Sequence, residues 1–130
     1  MLKKFLGSYP HKLDAKHKLS LPKAFRELLP ERVILTRGLD RNILVMAPEK
    51  WDQFEENMND MPPDTQEYFM RNVYEQDIDK VGRILIPQEL RQYAEIESRE
   101  VSVCGVGDMI QIWERQHKED RDNEIRMSEE

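Results

Sequence analysis

The sequence has very little cysteine and no long apolar segment. The single cysteine, Cys104, has no second thiol for an internal disulfide or a CxxC metal or redox pair, so we expect it to be a buried strand residue. No apolar run approaches the roughly 18 residues that a membrane span needs, and Met1 to Leu6 lacks the apolar stretch and cleavage site of a signal peptide. We therefore expect a small cytoplasmic protein, with no membrane partner, built as one compact unit.

Basic residues are outnumbered by acidic residues overall, but they are concentrated near the N-terminus. The 130 residues include 20 Lys and Arg against 26 Asp and Glu, which gives a net charge of −6. Residues 1–26 nevertheless contain seven Lys or Arg and one acid, Asp14, whereas the remaining residues carry a net charge of −12. Such a distribution allows one positive surface to bind a polyanion such as nucleic acid, while acidic surfaces elsewhere limit non-specific adhesion.

An internal repeat with an offset of 65 residues organises the chain. Residues 14–26 (DAKHKLSLPKAFR) match residues 79–91 (DKVGRILIPQELR) in the positions of an Asp, a cation, alternating apolar residues, a Pro and a final Arg. Alternation at every second position predicts strands, and Pro is typical of the first turn of a helix. Each copy is therefore predicted to form a strand, a polar turn, a second strand and a short helix.

A β-hairpin is predicted after each short helix. Apolar segments 33–36 and 43–46 flank a polar turn in the first copy, and segments 101–104 and 109–113 flank a glycine-containing turn in the second. One copy has too few strands to close a sheet by itself. We therefore expect the two copies to interleave around a pseudo-twofold axis and to cover each other's strand edges.

Further helices are predicted between and after the copies. An apolar stripe at helical spacing follows Pro48 and ends at the pair Pro62-Pro63; its members are Trp51, Phe54, Met58 and Met61. A second helix precedes the next strand, and the charge-rich segment 114–130 is predicted to form a solvated helix or tail. We accordingly divide the chain into a first repeat (1–60), a connecting helix (61–75) and a second repeat with the C-terminal helix or tail (76–130).

The duplicated segment, LDAKHKLSLPKAFR at 13–26 and IDKVGRILIPQELR at 78–91, resembles the doubled DxxxR signature of the MraZ family. The likeness extends over nearly the whole chain, and two motifs at a constant offset are far more specific than one. The resemblance implies an α+β fold in which two fused AbrB-like repeats, with short flanking helices, form a pseudo-twofold swapped-hairpin β-barrel.

The same resemblance implies a function. Members of the family are bacterial, sequence-specific DNA-binding transcription regulators of the division and cell-wall gene cluster that form ring-shaped homo-oligomers. For this chain it therefore implies double-stranded DNA and further copies of itself as partners, and a place at the nucleoid.

Four cations in two loops are the candidate DNA-binding residues. Arg83 occupies the position of the family's DNA-contacting Arg, and Lys18 occupies that position in the first copy. Lys16 and Lys80 add charge to the same two loops, and cations at a hairpin tip can approach phosphates and enter a groove. A ring that presents many such loops to repeated promoter boxes converts weak contacts into avidity.

Asp14, Asp79 and Gly82 are expected to shape these loops, since a carboxylate can accept backbone N–H bonds in a tight turn and glycine readily adopts a positive φ. The first copy departs from the pattern because His17 replaces the glycine and Lys18 replaces the Arg. We expect His17 to disfavour a positive φ and to reshape the first loop. Base readout there should weaken, because Lys lacks the planar fork of Arg, while phosphate attraction is retained.

Other interpretations of these residues stay open. Lys18 and Arg83 can instead pair with the loop carboxylates on a solvated turn. Arg26 and Arg91, which are also repeated, can extend the basic surface or pair with acids inside the chain. At the level of function, the alternative is a degenerate family member that acts as a protein-binding oligomeric scaffold without strong DNA affinity, because its first loop lacks both Gly and Arg.

No catalytic or cofactor pattern is found in the sequence. The three histidines have no metal-ligand spacing, and Gly105-Val-Gly107 lacks the third glycine of a dinucleotide-binding loop. Neighbouring acids lie in charge-rich helices predicted to be exposed, rather than in a pocket. We therefore predict no enzymatic activity, no metal, no cofactor and no small-molecule substrate.

Overall fold

The structure, a computed structural model, describes residues 4–128. Its first half contains β1 (Phe5–Lys12), β2 (Lys18–Ser20), α1 (Lys23–Arg26), β3 (Arg32–Arg37), β4 (Ile43–Met46) and α2 (Pro48–Met58). These are followed by α3 (Pro63–Met70), β5 (Tyr74–Asp77), β6 (Arg83–Leu85), α4 (Gln88–Tyr93), β7 (Glu100–Gly107), β8 (Ile110–Glu114) and α5 (Arg115–Ser128). The predicted order of strand, turn, strand, short helix and hairpin is confirmed in both copies.

Strands of the two copies pair with each other, and every pairing is antiparallel. Six strands form a sheet in the order β1-β7-β8-β4-β3-β5, and β2 pairs with β6 in a separate ribbon. If each strand is exchanged for its equivalent in the other copy, the order of the sheet is simply reversed. The interleaving and the pseudo-twofold arrangement expected from the repeat are therefore present.

The strands between residues 4 and 128 form an open sheet and a ribbon, and no closed barrel. β1 and β5 lie at opposite edges of the six-stranded sheet and do not pair. The ribbon nevertheless completes the core, because Leu19 and Ile84 lie opposite each other in it and are both fully buried in the main apolar cluster. Side-chain packing of the ribbon, and not a continuous ladder of hydrogen bonds, thus closes this side of the molecule. The expected α+β class is observed, and the expected closed barrel is not.

One large apolar residue anchors each of the two short helices. Phe25 of α1 is 1% exposed and makes edge-to-face contacts with Phe5 and Tyr9 of β1, at centroid distances of 5.5 and 5.2 Å. Leu90 of α4 takes the equivalent place in the second copy and is fully buried. Burial of a side chain of this size contributes about 1.5–3 kcal/mol, and it fixes each helix against the core beside its preceding ribbon strand.

A second apolar cluster joins α2 and α3 to the hairpin of the first copy. Ile34, Leu44 and Met46 from the hairpin pack with Trp51, Phe54 and Met58 of α2, with Phe69 of α3, and with Met61 between the two helices. The predicted stripe is confirmed as far as Met58, where α2 ends, and Met61 joins the same cluster from the segment after the helix. Cys104 is buried in β7, as expected.

The C-terminal helix contributes little to the core. α5 buries none of its described residues, which confirms the solvated helix expected for this segment. Among residues 4–128, no helix has both the length and the apolarity required to cross a membrane.

Candidate nucleic-acid interface

The two motif loops lie side by side at the β2–β6 ribbon. We call residues 14–18 the first loop and residues 79–83 the second loop; each leads directly into its ribbon strand. The pairing of Ser20 with Arg83 and of Lys18 with Leu85 places the ends of the two loops against the opposite strand. Two further backbone bonds extend this connection, because Leu21 N donates to Gly82 O (3.0 Å) and Ile86 N donates to His17 O (3.1 Å). Loops that are 65 residues apart in sequence therefore form one surface.

A single aspartate accepts the same backbone bonds in each loop. Asp14 Oδ1 accepts the N–H groups of Lys16 and Lys18 at 2.8 and 2.9 Å. Asp79 Oδ1 accepts those of Val81 and Arg83 at 3.1 and 2.8 Å. The bond from the backbone N–H of Lys18 is the main cause that lowers the pKa of Asp14, and the N–H of Arg83 does the same for the pKa of Asp79.

The two loops keep one conformation in spite of the exchange of Gly for His. Gly82 has a φ of 83°, and His17 has a φ of 63°, so His17 also adopts the left-handed region. The reshaping expected from His17 is not observed, because the bonds to Asp14 and to the ribbon hold the backbone in this conformation.

The cations at the repeated signature position are paired with carboxylates of both loops. Arg83 Nε lies 3.0 Å from Asp79 Oδ2, and Arg83 Nη1 lies 3.3 Å from Asp14 Oδ2. Lys18 Nζ lies 3.6 Å from Asp79 Oδ2. The side chains of Lys18 and Arg83 are accordingly 32% and 38% exposed. In the chain without DNA, both signature cations therefore pair with loop carboxylates, which was the alternative to DNA contact. Two of the three pairs join one loop to the other.

The other two candidate cations differ in their surroundings. Lys16 and Lys80 are exposed, and no carboxylate among residues 4–128 lies within ion-pair distance of either. With His17 neutral, the two loops together carry four cations and two carboxylates, which gives them a net charge of +2 on a chain of net charge −6. This end of the ribbon can therefore attract an anion.

Arg26 was not among the candidate DNA-binding residues, yet the structure places it on the second loop. Its Nη1 donates a 3.2 Å hydrogen bond to the carbonyl of Val81. The repeat-equivalent Arg91 instead donates from Nε to the carbonyl of Ile86 at 3.0 Å. The repeat in the sequence indicates that both arginines matter, but it does not predict that their hydrogen bonds differ.

A second cluster that the repeat pattern does not indicate joins α3, α4 and the turn after β3. The hydroxyls of Tyr68 and Tyr93 both donate to the carbonyl of Gly38 and contact each other, and the guanidinium of Arg37 lies 4.1 Å from the centroid of the Tyr68 ring. Burial, followed by the contact with Tyr93, raises the pKa of Tyr68 to about 12. The cluster holds the connecting helix in place. Among residues 4–128, no group of three or more His, Cys, Asp or Glu is arranged to hold a metal ion.

Comparison with known families accounts for the duplication. The sequence model of the family described as "MraZ protein, putative antitoxin-like" matches residues 4–68 and, a second time, residues 69–130. The two matches cover nearly the whole chain, meet in α3, and each contain one motif loop and one hairpin. This chain therefore belongs to the MraZ family, which is a family of transcription regulators.

Proposed function

We propose that this protein is a bacterial transcription regulator that binds double-stranded DNA sequence-specifically at repeated promoter boxes of the division and cell-wall gene cluster. Membership of a regulator family in both halves of the chain supports the regulatory role, and the proposal includes no enzymatic reaction. The observation that carries the DNA-binding part is the convergence of both motif loops, with Lys16, Lys18, Lys80 and Arg83, on one ribbon.

Two of the cations attract phosphates, and Arg83 contacts a base edge. Lys16 and Lys80 are exposed and unpaired within the described chain, so they attract phosphates and release counterions from the duplex. Arg83 has the planar fork suited to a guanine edge, and its Nη2 makes no hydrogen bond to residues 4–128. To use the whole fork, Arg83 must leave Asp14, Asp79 or both.

The small number of free cations in each chain supports the proposal of an oligomer. One chain has only two unpaired lysines in its loops, and a protein with so few phosphate contacts binds DNA weakly. We propose that copies assemble into a ring whose loops contact successive DNA boxes, so that avidity compensates for weak single contacts. The exchange of strands between the copies supports a swapped-hairpin, AbrB-like origin of each repeat. The proposed location is the cytoplasm, at the nucleoid.

The test is a fluorescence-anisotropy titration of labelled division-cluster promoter DNA at two salt concentrations. The native protein is compared with a Lys18→Glu, Arg83→Glu variant and with an Arg71→Glu, Arg126→Glu control, which reverses two charges at exposed positions in or beside α3 and α5. We expect salt-sensitive binding that the loop variant loses and the control retains. Equal binding by the two variants would contradict the assignment of the loops.

A specific observation also favours the alternative of a protein-binding scaffold. Both signature cations, Lys18 and Arg83, are neutralised by carboxylates, and the first loop has no Arg. If the native oligomer binds no DNA at low salt, this alternative replaces DNA binding. Its functional sensitivity would then lie outside the loops, and not at Trp51 and Phe54, which pack in the second apolar cluster.

A further inference from the structure

Arg26 of the first repeat completes the second loop, which belongs to the second repeat. Its Nη1 bonds to the carbonyl of Val81, 55 positions away along the chain. A Cβ atom at position 82 would lie 2.2 Å from that Nη1 and 2.5 Å from Arg26 Cδ. Gly82 therefore provides both the positive φ of the turn and the space in which the Arg26 side chain lies.

The charge of Arg26 is not neutralised by the carboxylates around it. Arg26 is exposed and lines an open cleft with Lys80, Arg32, Asp77 and Asp79. Asp77 pairs with Arg32, and Asp79 pairs with the signature cations, so these acids are already engaged. Among residues 4–128, no carboxylate lies within ion-pair distance of Arg26. Glu31 also lines the cleft, so three of its charged side chains form no ion pair within residues 4–128: the cations Arg26 and Lys80 and the carboxylate of Glu31.

The equivalent position of the other repeat is arranged differently. Arg91 is half-buried and bonds to the carbonyl of Ile86 in its own repeat. On the first loop the residue equivalent to Gly82 is His17, which has a side chain where Gly82 has none. The two repeated arginines, identical in sequence, therefore have different surroundings.

We propose that Arg26 is a further DNA-contacting residue that binds the phosphodiester backbone of the duplex beside the second loop. The inference rests on the proposed DNA binding. It adds that residues of both repeats form the main DNA contact, in which Arg26 and Lys80 bind phosphates and Arg83 binds a base. Only one donor of the guanidinium is used by Val81, and the remaining N–H groups suit the oxygens of a phosphate.

The bond to Val81 also has a direct electrostatic role. A backbone carbonyl at the tip of a loop repels an approaching phosphate, because both present negative oxygen atoms. Arg26 covers this carbonyl with a positive charge and so converts a repulsive point into an attractive one.

The experiment compares Arg26→Gln with Arg91→Gln in the full-length oligomer. Affinity for duplex promoter DNA is measured by anisotropy at several salt concentrations. Glutamine retains a donor for the neighbouring carbonyl but removes the charge. We expect Arg26→Gln to weaken binding by roughly fivefold. The slope of the logarithm of the binding constant against the logarithm of the salt concentration should become shallower by about 0.9 for each subunit in contact with the duplex. Arg91→Gln should stay within about twofold of the native protein, with an unchanged salt dependence.

A third variant separates contact with DNA from support of the loop. Arg26→Lys keeps the charge but not the geometry of the bond to Val81, and it should restore most of the salt dependence. Light scattering and circular dichroism check that each variant keeps the native assembly and fold. If native protein binds DNA while Arg26→Gln and Arg91→Gln have equal effects, or Arg26→Lys fails to restore the salt dependence, the inference is wrong and the proposed function stands. If the native protein binds no DNA at low salt, the proposed function itself fails.

Discussion

Arg83 and Asp14 are 69 positions apart in sequence, yet Arg83 Nη1 lies 3.3 Å from Asp14 Oδ2. Since Arg83 also pairs with Asp79 of its own loop, one guanidinium joins the loops of both repeats. The same guanidinium is the proposed reader of a base edge. Under this proposal, the loop carboxylates and the DNA compete for the Arg83 side chain.

Replacement of Asp14 by Asn should tighten DNA binding. The change removes a negative charge from the proposed interface and leaves Arg83 with one carboxylate in place of two. The amide oxygen of Asn can still accept the N–H groups of Lys16 and Lys18, so the loop conformation should persist. We expect a severalfold gain in affinity at low salt, measured by anisotropy, that becomes smaller as salt screens the charges.

The matched control is Asp64→Asn, which removes the same charge from the exposed first turn of α3. It should change the affinity much less than Asp14→Asn does. Equal gains from the two variants would show that overall charge, and not the pair with Arg83, is responsible.

Gly82→Ala should be more destabilising than Gly107→Ala, although both glycines have a positive φ. An alanine at either position costs about 1 kcal/mol in backbone strain. A Cβ at position 107 would meet no atom of residues 4–128 within 4 Å apart from its chain neighbours, whereas a Cβ at position 82 displaces Arg26. Urea denaturation should therefore show a larger loss of folding free energy for Gly82→Ala, by at most about 1 kcal/mol, because the exposed Arg26 side chain can move aside and loses mainly its bond to Val81.

This excess depends on Arg26 and should disappear when that side chain is shortened. In an Arg26→Ala background, Gly82→Ala and Gly107→Ala should cost similar amounts of folding free energy. An excess that persists without the Arg26 side chain would place its cause elsewhere in the second loop.

The local structure was predictable because it depends on local patterns. Alternating apolar residues fixed the strands, the stripe from Trp51 to Met61 indicated α2 and the residues that follow it, and the offset of 65 residues implied interleaved copies. These signals depend on spacing along the chain, which tertiary contacts did not override. The open sheet was not predictable in the same way, because a list of strands does not say whether the two outermost ones meet.

The contacts within the site were harder to predict because they join distant segments. The sequence located both loops and their cations, but the crossed pairs of Lys18 with Asp79 and of Arg83 with Asp14 depend on the register of the ribbon. Arg26 and Arg91 occupy the same position of the repeat, and their different hydrogen bonds become understandable only beside Gly82 and His17.

Tyr68 should remain protonated at a pH at which ordinary tyrosines ionise. Burial is the main cause that raises its pKa to about 12, and the contact with Tyr93 adds to this effect. Ultraviolet titration of the tyrosinate absorbance at about pH 11 should therefore lose little signal in a Tyr68→Phe variant. Loss of the signal of one full tyrosinate at this pH in Tyr68→Phe would contradict the arrangement around Gly38.

Acid should weaken the fold through the two loop aspartates. Backbone N–H bonds, assisted by the charge of Arg83, hold the pKa values of Asp14 and Asp79 below the ordinary value of 3.8, so the folded chain resists protonation more than the unfolded chain does. The stability that these groups contribute is complete at pH values above the ordinary pKa and is lost as the pH falls through the lower pKa values of the folded state.

The measurement is urea denaturation between about pH 6 and pH 2, for the native protein and an Asp14→Asn, Asp79→Asn variant. The stability advantage of the native protein over this variant should shrink towards acid pH. A constant difference between the native protein and the double loop variant would mean that these carboxylates are not selectively stabilised in the folded loops, and the competition between them and DNA for Arg83 would lose its physical basis.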